Sequence, residues 1–218
     1  MAVLDPIRAQ VLATRLIPSI ERPFAERLGL TDDERSLALV TCDIDDVLYI
    51  SLDEATKKAD CRVIYAHSFY AGSAHASGPL SGEIIGMLAA PDPEEARAGL
   101  AACVDHAENR VWFEAADQAG ELAFLAHPIA RTGSYLSGEA GVDPGTPLAY
   151  LIAPPLEATF GLDAVLKTTD VELKVWFEPP SETNFSGGLL AGEQSAVAEA
   201  CNAFRDAVLG IAAAPREV

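Results

Sequence analysis

Three carboxylates fall within four residues, Asp43, Asp45 and Asp46, in the run CDIDDV that follows an apolar stretch. Such a cluster can draw cations to a negative rim, or it can serve as a hydrogen-bonding polar turn. Spacing alone reads as the turn, and no further ligands at a fixed distance support a metal. Glu83 is a fourth acid, opening the otherwise apolar run LSGEIIGML. A lone acid in that place ordinarily faces solvent at a strand edge. Trp112 and Phe113 stand just beyond a helix, where aromatics are more often core.

Other chemistries find no support. His67, His75, His106 and His127 are scattered without metal-ligand spacing, so no metal site is expected. The four cysteines, Cys42, Cys61, Cys103 and Cys201, form no CxxC pair and read as buried free thiols. Patterns of the GxSxG, GxGxxG and P-loop types are absent. No catalytic residue and no cofactor is expected. An acid–base pair of Asp45 and Glu83 is disfavoured by the internal repeat described next, because Pro155 stands opposite Asp45 and Leu156 opposite Asp46.

The elements that would position these groups recur. Shifted by 110 positions, Leu12-Ala13 lies over Leu122-Ala123, Pro18 over Pro128, SLALVTCD over TPLAYLIA, Asp53 over Asp163 and Lys57 over Lys167. Each half reads as an apolar strand (37–41; 148–152), a helix (51–59; 161–169) and a β-rich strand from Cys61 or Val171. A Gly/Ser/Pro-rich loop follows (67–82; 178–188), then a second apolar strand (83–88; 189–191) and an Ala-rich amphipathic helix (93–108; 195–211). Asp53 and Asp163 are expected at a helix start, and 109–121 as a short connection. Alternation of this kind gives a small α/β sandwich.

Bulk properties bound the function. The chain has 218 residues, enough for one large domain or two of roughly 100 residues. With 33 acidic and 15 basic residues its net charge is −18, which repels a phosphate backbone and argues against nucleic acid. Half the residues are hydrophobic and the mean hydropathy is +0.17, a hint of apolar surface buried between subunits. No run is apolar enough for a membrane span and the N-terminus does not read as a signal peptide, so a cytoplasmic protein is expected.

The string GLDAVLKTTDVELKVWF from Gly161 resembles the helix-then-strand signature of the bacterial microcompartment shell-domain family. Longer motifs, among them DEATKKAD, FLAHPIARTGSYLSGEAG, YLIAPPLEATFG, PPSETNFS and CNAFRDAVL, resemble that family's ethanolamine-utilisation branch, over residues 4–214. The resemblance implies an α/β fold (α+β, ferredoxin-like) of two tandem, circularly permuted microcompartment domains, 1–113 and 114–218. It implies a structural protein rather than an enzyme: a homotrimer, pseudo-hexameric in outline, tiling with other shell proteins into a microcompartment shell within the cytoplasm. It further implies a small acidic pore that binds ethanolamine through Asp45, Asp46 and Glu83, with Trp112, Phe113 and Thr183. A gated central pore would carry Phe69, Tyr70 and Gly72 on one loop and Ser181, Glu182, Asn184 and Phe185 on the other. Lys57 and Lys167 would contact neighbouring discs. The residues alone leave a second class open, a soluble small-molecule-binding α/β protein; self-assembly separates the two.

Overall fold

The apolar and β-branched runs become strands and the Ala-rich runs helices. A computed structural model describes residues 1–69 and 78–216. In chain order the elements are β1 (Pro6–Arg8), β2 (Val11–Ile17), α1 (Arg22–Arg27), β3 (Ser36–Cys42), α2 (Asp45–Lys58), β4 (Arg62–Ser68), β5 (Ile84–Ala90) and α3 (Pro93–Asn109). The later half follows with β6 (Trp112–Ala115), β7 (Ala123–Ile129), α4 (Ser134–Ala140), β8 (Leu148–Ala153), α5 (Pro155–Thr168), β9 (Val171–Phe177), β10 (Ser186–Gly192) and α6 (Gln194–Ala213). The second eight elements repeat the first eight in type and order.

Two compact units result, neither continuous in sequence. The first comprises Ala9–Val111 with Gly133–Leu136; the second comprises Met1–Arg8, Trp112–Thr132 and Ser137–Val218. The first unit holds a four-stranded antiparallel sheet in the order β2-β3-β5-β4, with Leu37 opposite Ala89 and Cys42 opposite Ile84. The second holds β7-β8-β10-β9, the same order, with Leu148 opposite Ala191. Its sheet is extended at one edge by β6 and β1, which pair antiparallel through Ile7 and Phe113. Thus 109–121, expected as a connection, contributes a strand. Val111, Trp112 and Phe113 favour extended backbone; the strand pairs with the nearby β7, as Glu114 with Phe124, and on its other edge with β1, a hundred residues away.

Helix boundaries follow capping chemistry. Helix α3 starts at Pro93, where the missing N–H costs nothing, and the Asp92 carboxylate accepts from the amides of Glu94 (2.8 Å) and Glu95 (2.9 Å). Helix α6 buries Ala196, Val197, Ala200, Cys201, Phe204 and Val208, an i, i+3/i+4 stripe. That stripe meets Leu151, Leu162, Val165 and Leu190 in the second unit's core. Leu37, Val40, Leu48, Leu52, Ile84 and Leu88 fill the first unit's core. Cys42, Cys103 and Cys201 are buried and Cys61 is half-buried, all as free thiols. Burial pushes Cys42 and Cys201 up to about 12 and Cys61 to about 11, and Cys103 higher still.

The helices α2 and α5 begin one to two turns earlier than expected, which moves Asp53 and Asp163 from the first turn into mid-helix. The two aspartates then differ sharply. Asp163 is exposed and pairs with Lys167. Asp53 is fully buried: its Oδ2 accepts from the amide of Gly133 at 2.7 Å and its Oδ1 from that of Leu136 at 2.8 Å. Lys57 Nζ lies 3.4 Å from the same carboxylate. Gly133 is required there, because a Cβ would stand 2.1 Å from Thr56 Oγ1 and 2.6 Å from the Asp53 carbonyl oxygen. Asn at position 53 keeps only one acceptor and turns an amide N–H₂ toward a backbone N–H. Asp53→Asn is expected to destabilise the chain by about 2–3 kcal/mol, read from the urea unfolding midpoint.

Candidate functional site

The end of β3 and the start of α2 bring the acidic cluster together in the first unit. Asp43 leaves the strand and its Oδ1 accepts from the Gln10 amide at 2.7 Å, tying down the residue before β2. Asp45 and Asp46 are not a loop turn. They form the first turn of α2, each 7% exposed, where the helix dipole favours negative charge. Asp45 Oδ1 accepts from the Asp46 amide at 2.9 Å, which caps the helix from within because Ile44 at the N-cap has no side-chain acceptor.

Glu83 reaches the same corner through a glycine. Gly82 has φ +61°, and a Cβ on it would meet the Cys42 carbonyl oxygen at 1.9 Å. Only glycine lets the chain pass so close. The Glu83 amide then donates to that carbonyl at 2.9 Å, and the Glu83 carbonyl accepts from Phe69. Burial, and next the charges of Asp45 and Asp43, hold the Glu83 carboxyl above the ordinary glutamate range. Tyr49, one turn into α2, closes the corner. Its hydroxyl lies 2.6 Å from Ser68 Oγ and accepts from the Ser68 amide at 3.0 Å. Burial raises the Tyr49 phenol, with Asp45 and Asp46 adding to the effect. The corner therefore concentrates acceptors and negative charge, the chemistry that receives a cationic N–H donor. Among the described residues, no three His, Cys, Asp or Glu side chains are placed to hold a metal ion.

Trp112 and Phe113 belong to β6 in the second unit. The Arg8 guanidinium lies 4.6 Å from the Trp112 ring centroid, so that aromatic face already carries a cation. Phe113 is 4% exposed and meets Phe185 edge to face at 5.7 Å. The loop 181–185 is closed on itself. The Ser181 amide donates to the Phe185 carbonyl (3.0 Å), the Asn184 amide to the Ser181 carbonyl (3.1 Å), and the Phe185 amide to Ser181 Oγ (3.1 Å). Asn184 takes the left-handed φ of 66° that this tight loop demands. Thr183 Oγ1 is 3.4 Å from Ser181 Oγ, and Glu182 is exposed. Phe69 is half-buried beyond β4; Tyr70 and Gly72 lie outside the described residues.

Each unit also has a crevice where the fourth strand of its repeat, β4 or β9, begins. In the first unit it measures about 300 Å³, and Arg62 bridges it to Glu34 through paired contacts of 2.8 and 2.7 Å. The second unit's crevice, about 810 Å³, has Glu172 where the first has Arg62, keeps acids at Asp143 and Asp170 opposite Asp33 and Asp60, and adds Glu193. Sequence reading missed Tyr49, Ser68 and Gly82. Tyr49 was within reach, since a helix begun at Asp45 places it on the same face at i+4.

No family model matches the chain. It is 53% identical over 215 residues to the bacterial microcompartment shell protein EutL of Escherichia coli K12, covering 99% of this chain and 98% of that one. It superposes on the crystal structure of the ethanolamine utilization protein EutL from Leptotrichia buccalis with a TM-score of 0.96, at 51% identity and full coverage of both chains. The trimeric microcompartment shell protein PduB shares the fold, with a TM-score of 0.73 at 18% identity, over 94% of this chain and 89% of that one.

Glu83 links the site to stability. A carboxyl whose folded pKa is raised contributes stability that is fully present below the ordinary glutamate pKa and lost as pH rises through the raised value. Glu83→Gln is therefore expected to be more stable than the parent at neutral pH. The difference should close as pH falls into the ordinary glutamate range, in urea midpoints taken between about pH 4 and pH 8.

Proposed function

Because the chain belongs to the EutL family of bacterial microcompartment shell proteins, we propose that three copies close into a pseudo-hexameric disc whose first-unit acidic corners bind ethanolamine. The protein is a structural shell component and not an enzyme. The observation that carries the proposed disc is the repetition of all eight elements and of the strand order in both units. One chain then supplies two equivalent sectors, with 1–113 and 114–218 as the two permuted copies, and three chains supply six. Head-to-tail contacts close into a ring when the rotation between copies closes, and other shell proteins would surround the disc at its edges through Lys57 and Lys167.

The ligand reading rests on the acidic corner. Glu83 is held protonated longer than usual by burial and by Asp45 and Asp43. A protonated amine relieves that repulsion and supplies donors to the carboxylates, while its hydroxyl end can meet Tyr49 or Ser68. Arg8 already covers Trp112 and Phe113 is buried, so the cation's partners in this reading are the carboxylates. The loop 181–185 and the segment from Phe69 through Tyr70 and Gly72 are the proposed gate of a larger pore. Opening the first would break the three hydrogen bonds that close it.

Light scattering on a sizing column is expected to give three times the chain mass of 23.0 kDa; a monomer at all concentrations would exclude the disc. In calorimetric titration, Asp45→Ala and Glu83→Ala are each expected to weaken ethanolamine binding by about tenfold or more without changing that mass. The parent's affinity should fall as salt rises. Unchanged affinity in both variants would exclude the acidic corner as the site.

A further inference from the structure

Tyr49 directs its one hydroxyl at one residue. The phenol oxygen accepts from the Ser68 amide at 3.0 Å and lies 2.6 Å from Ser68 Oγ. Ser68 closes β4 and is 5% exposed. The phenol thus ties α2 to the end of a strand 19 residues further on. That strand end is the one beside Glu83. Ser68 stands opposite Ile84 in the β4–β5 ladder, and the next amide, that of Phe69, donates to the Glu83 carbonyl at 2.9 Å. On α2, Tyr49 comes one turn after Asp45 and Asp46 and shares their face of the helix. The tie therefore runs between the two elements that carry the acids.

The ring itself is held by packing. Tyr135 stacks on it, with centroids 6.4 Å apart and planes inclined by 24°. Tyr135 lies within the segment whose amides at 133 and 136 bind the buried Asp53. The later repeat has neither the tie nor the acids. Asp45, Asp46 and Tyr49 are matched there by Pro155, Leu156 and Thr159. The Thr159 hydroxyl donates back to the Pro155 carbonyl of its own helix at 2.7 Å, and β9 ends on Phe177 where β4 ends on Ser68. A tie that the fold alone required would recur in both units, which share element order and strand order. This one occurs where the acids occur.

We propose that Tyr49 is a positioning residue for the acidic corner, fixing through Ser68 how closely the first turn of α2 stands to Glu83 and thereby how tightly the corner holds a primary ammonium. The proposal rests on the reading of this corner as the ethanolamine site and adds what sets its strength. Carboxylates gathered in one place repel one another, and the repulsion grows as they approach. The charges of Asp45 and Asp43 act on Glu83, and those of Asp45 and Asp46 on Tyr49 itself. A cation binds best where the acids converge, so neighbours that do not touch the ligand have to enforce the convergence. With the tie cut, α2 relaxes away from the β4–β5 rung. Glu83 then feels less of Asp45, and a bound ammonium meets fewer acceptors at once.

The test is calorimetric titration of the full-length chain with ethanolamine and with propylamine, which keeps the ammonium and replaces the hydroxyl by a methyl group. Tyr49→Phe and Ser68→Ala each remove one oxygen. Each is expected to weaken both ligands about fivefold, and the double variant to bind no more weakly than the weaker single one, because both changes cut the same contact. The parent's affinity for ethanolamine should fall as acid protonates Glu83, and in Tyr49→Phe that fall should come about half a pH unit lower, because Asp45 then acts on Glu83 from further away. A loss for ethanolamine without one for propylamine would make Tyr49 a direct ligand contact and overturn the proposal. Losses that multiply in the double variant, or a pH profile equal to the parent's, would overturn it too. Parental affinities in both single variants, with Asp45→Ala still weakened, would overturn it and leave the ethanolamine site standing. No ethanolamine binding by the parent would overturn both.

Discussion

A carboxylate taken wholly out of water must find its lost hydrogen bonds in the protein, and Asp53 finds them in the backbone of a distant segment. Two amides, eighty and more residues along the chain, converge on its two oxygens, and Lys57 supplies the countercharge. That requirement commits Gly133–Leu136 to the first unit although the chain on either side belongs to the second. It fixes the start of α4, and it explains why position 133 is a glycine. The same helix that carries Asp53 in its third turn carries Asp45 and Asp46 in its first. The contact that organises the fold therefore also steadies the helix that presents the acids.

Much of this architecture was visible in the residues. The apolar strands, the Ala-rich helices and the 110-residue repeat have local signatures, and the long motifs around PPLEATFG and PPSETNFS carried the family. What escaped was set by contacts far apart in sequence. Strand β6 is four residues long and sits between β7 and β1, and its pairing with β1 spans a hundred residues. The start of α2 was hidden because Ile44, Val47, Tyr49 and Ile50 suit a strand as well as a helix, while three aspartates suit a turn. Tertiary packing decided for the helix. Asp53 read as a cap because aspartate usually earns its place at a helix end; nothing around it announces an acceptor for amides at 133 and 136.

The site was legible in part for the same reason. The acids at 43, 45, 46 and 83 could be named from their types, but their meeting depends on Gly82 pressing against the Cys42 carbonyl. The aromatic residues at 112 and 113 looked available because they follow a helix, yet β-pairing turns one toward Arg8 and the other into the core. Divergence between the repeats is equally hard to see in one dimension. Arg62 and Glu172 occupy matching places, and the first closes a crevice that the second leaves wide.

The four thiols have a bearing on how long such a protein lasts. Alkylation and oxidation of cysteine both proceed through the thiolate. Burial holds Cys42, Cys61 and Cys201 at about 11 or 12, and Cys103 higher still, so almost none of that reactive form exists near neutrality. A shell built from this chain therefore presents little cysteine thiolate near neutrality, which slows the reaction of its four thiols with electrophiles and peroxide.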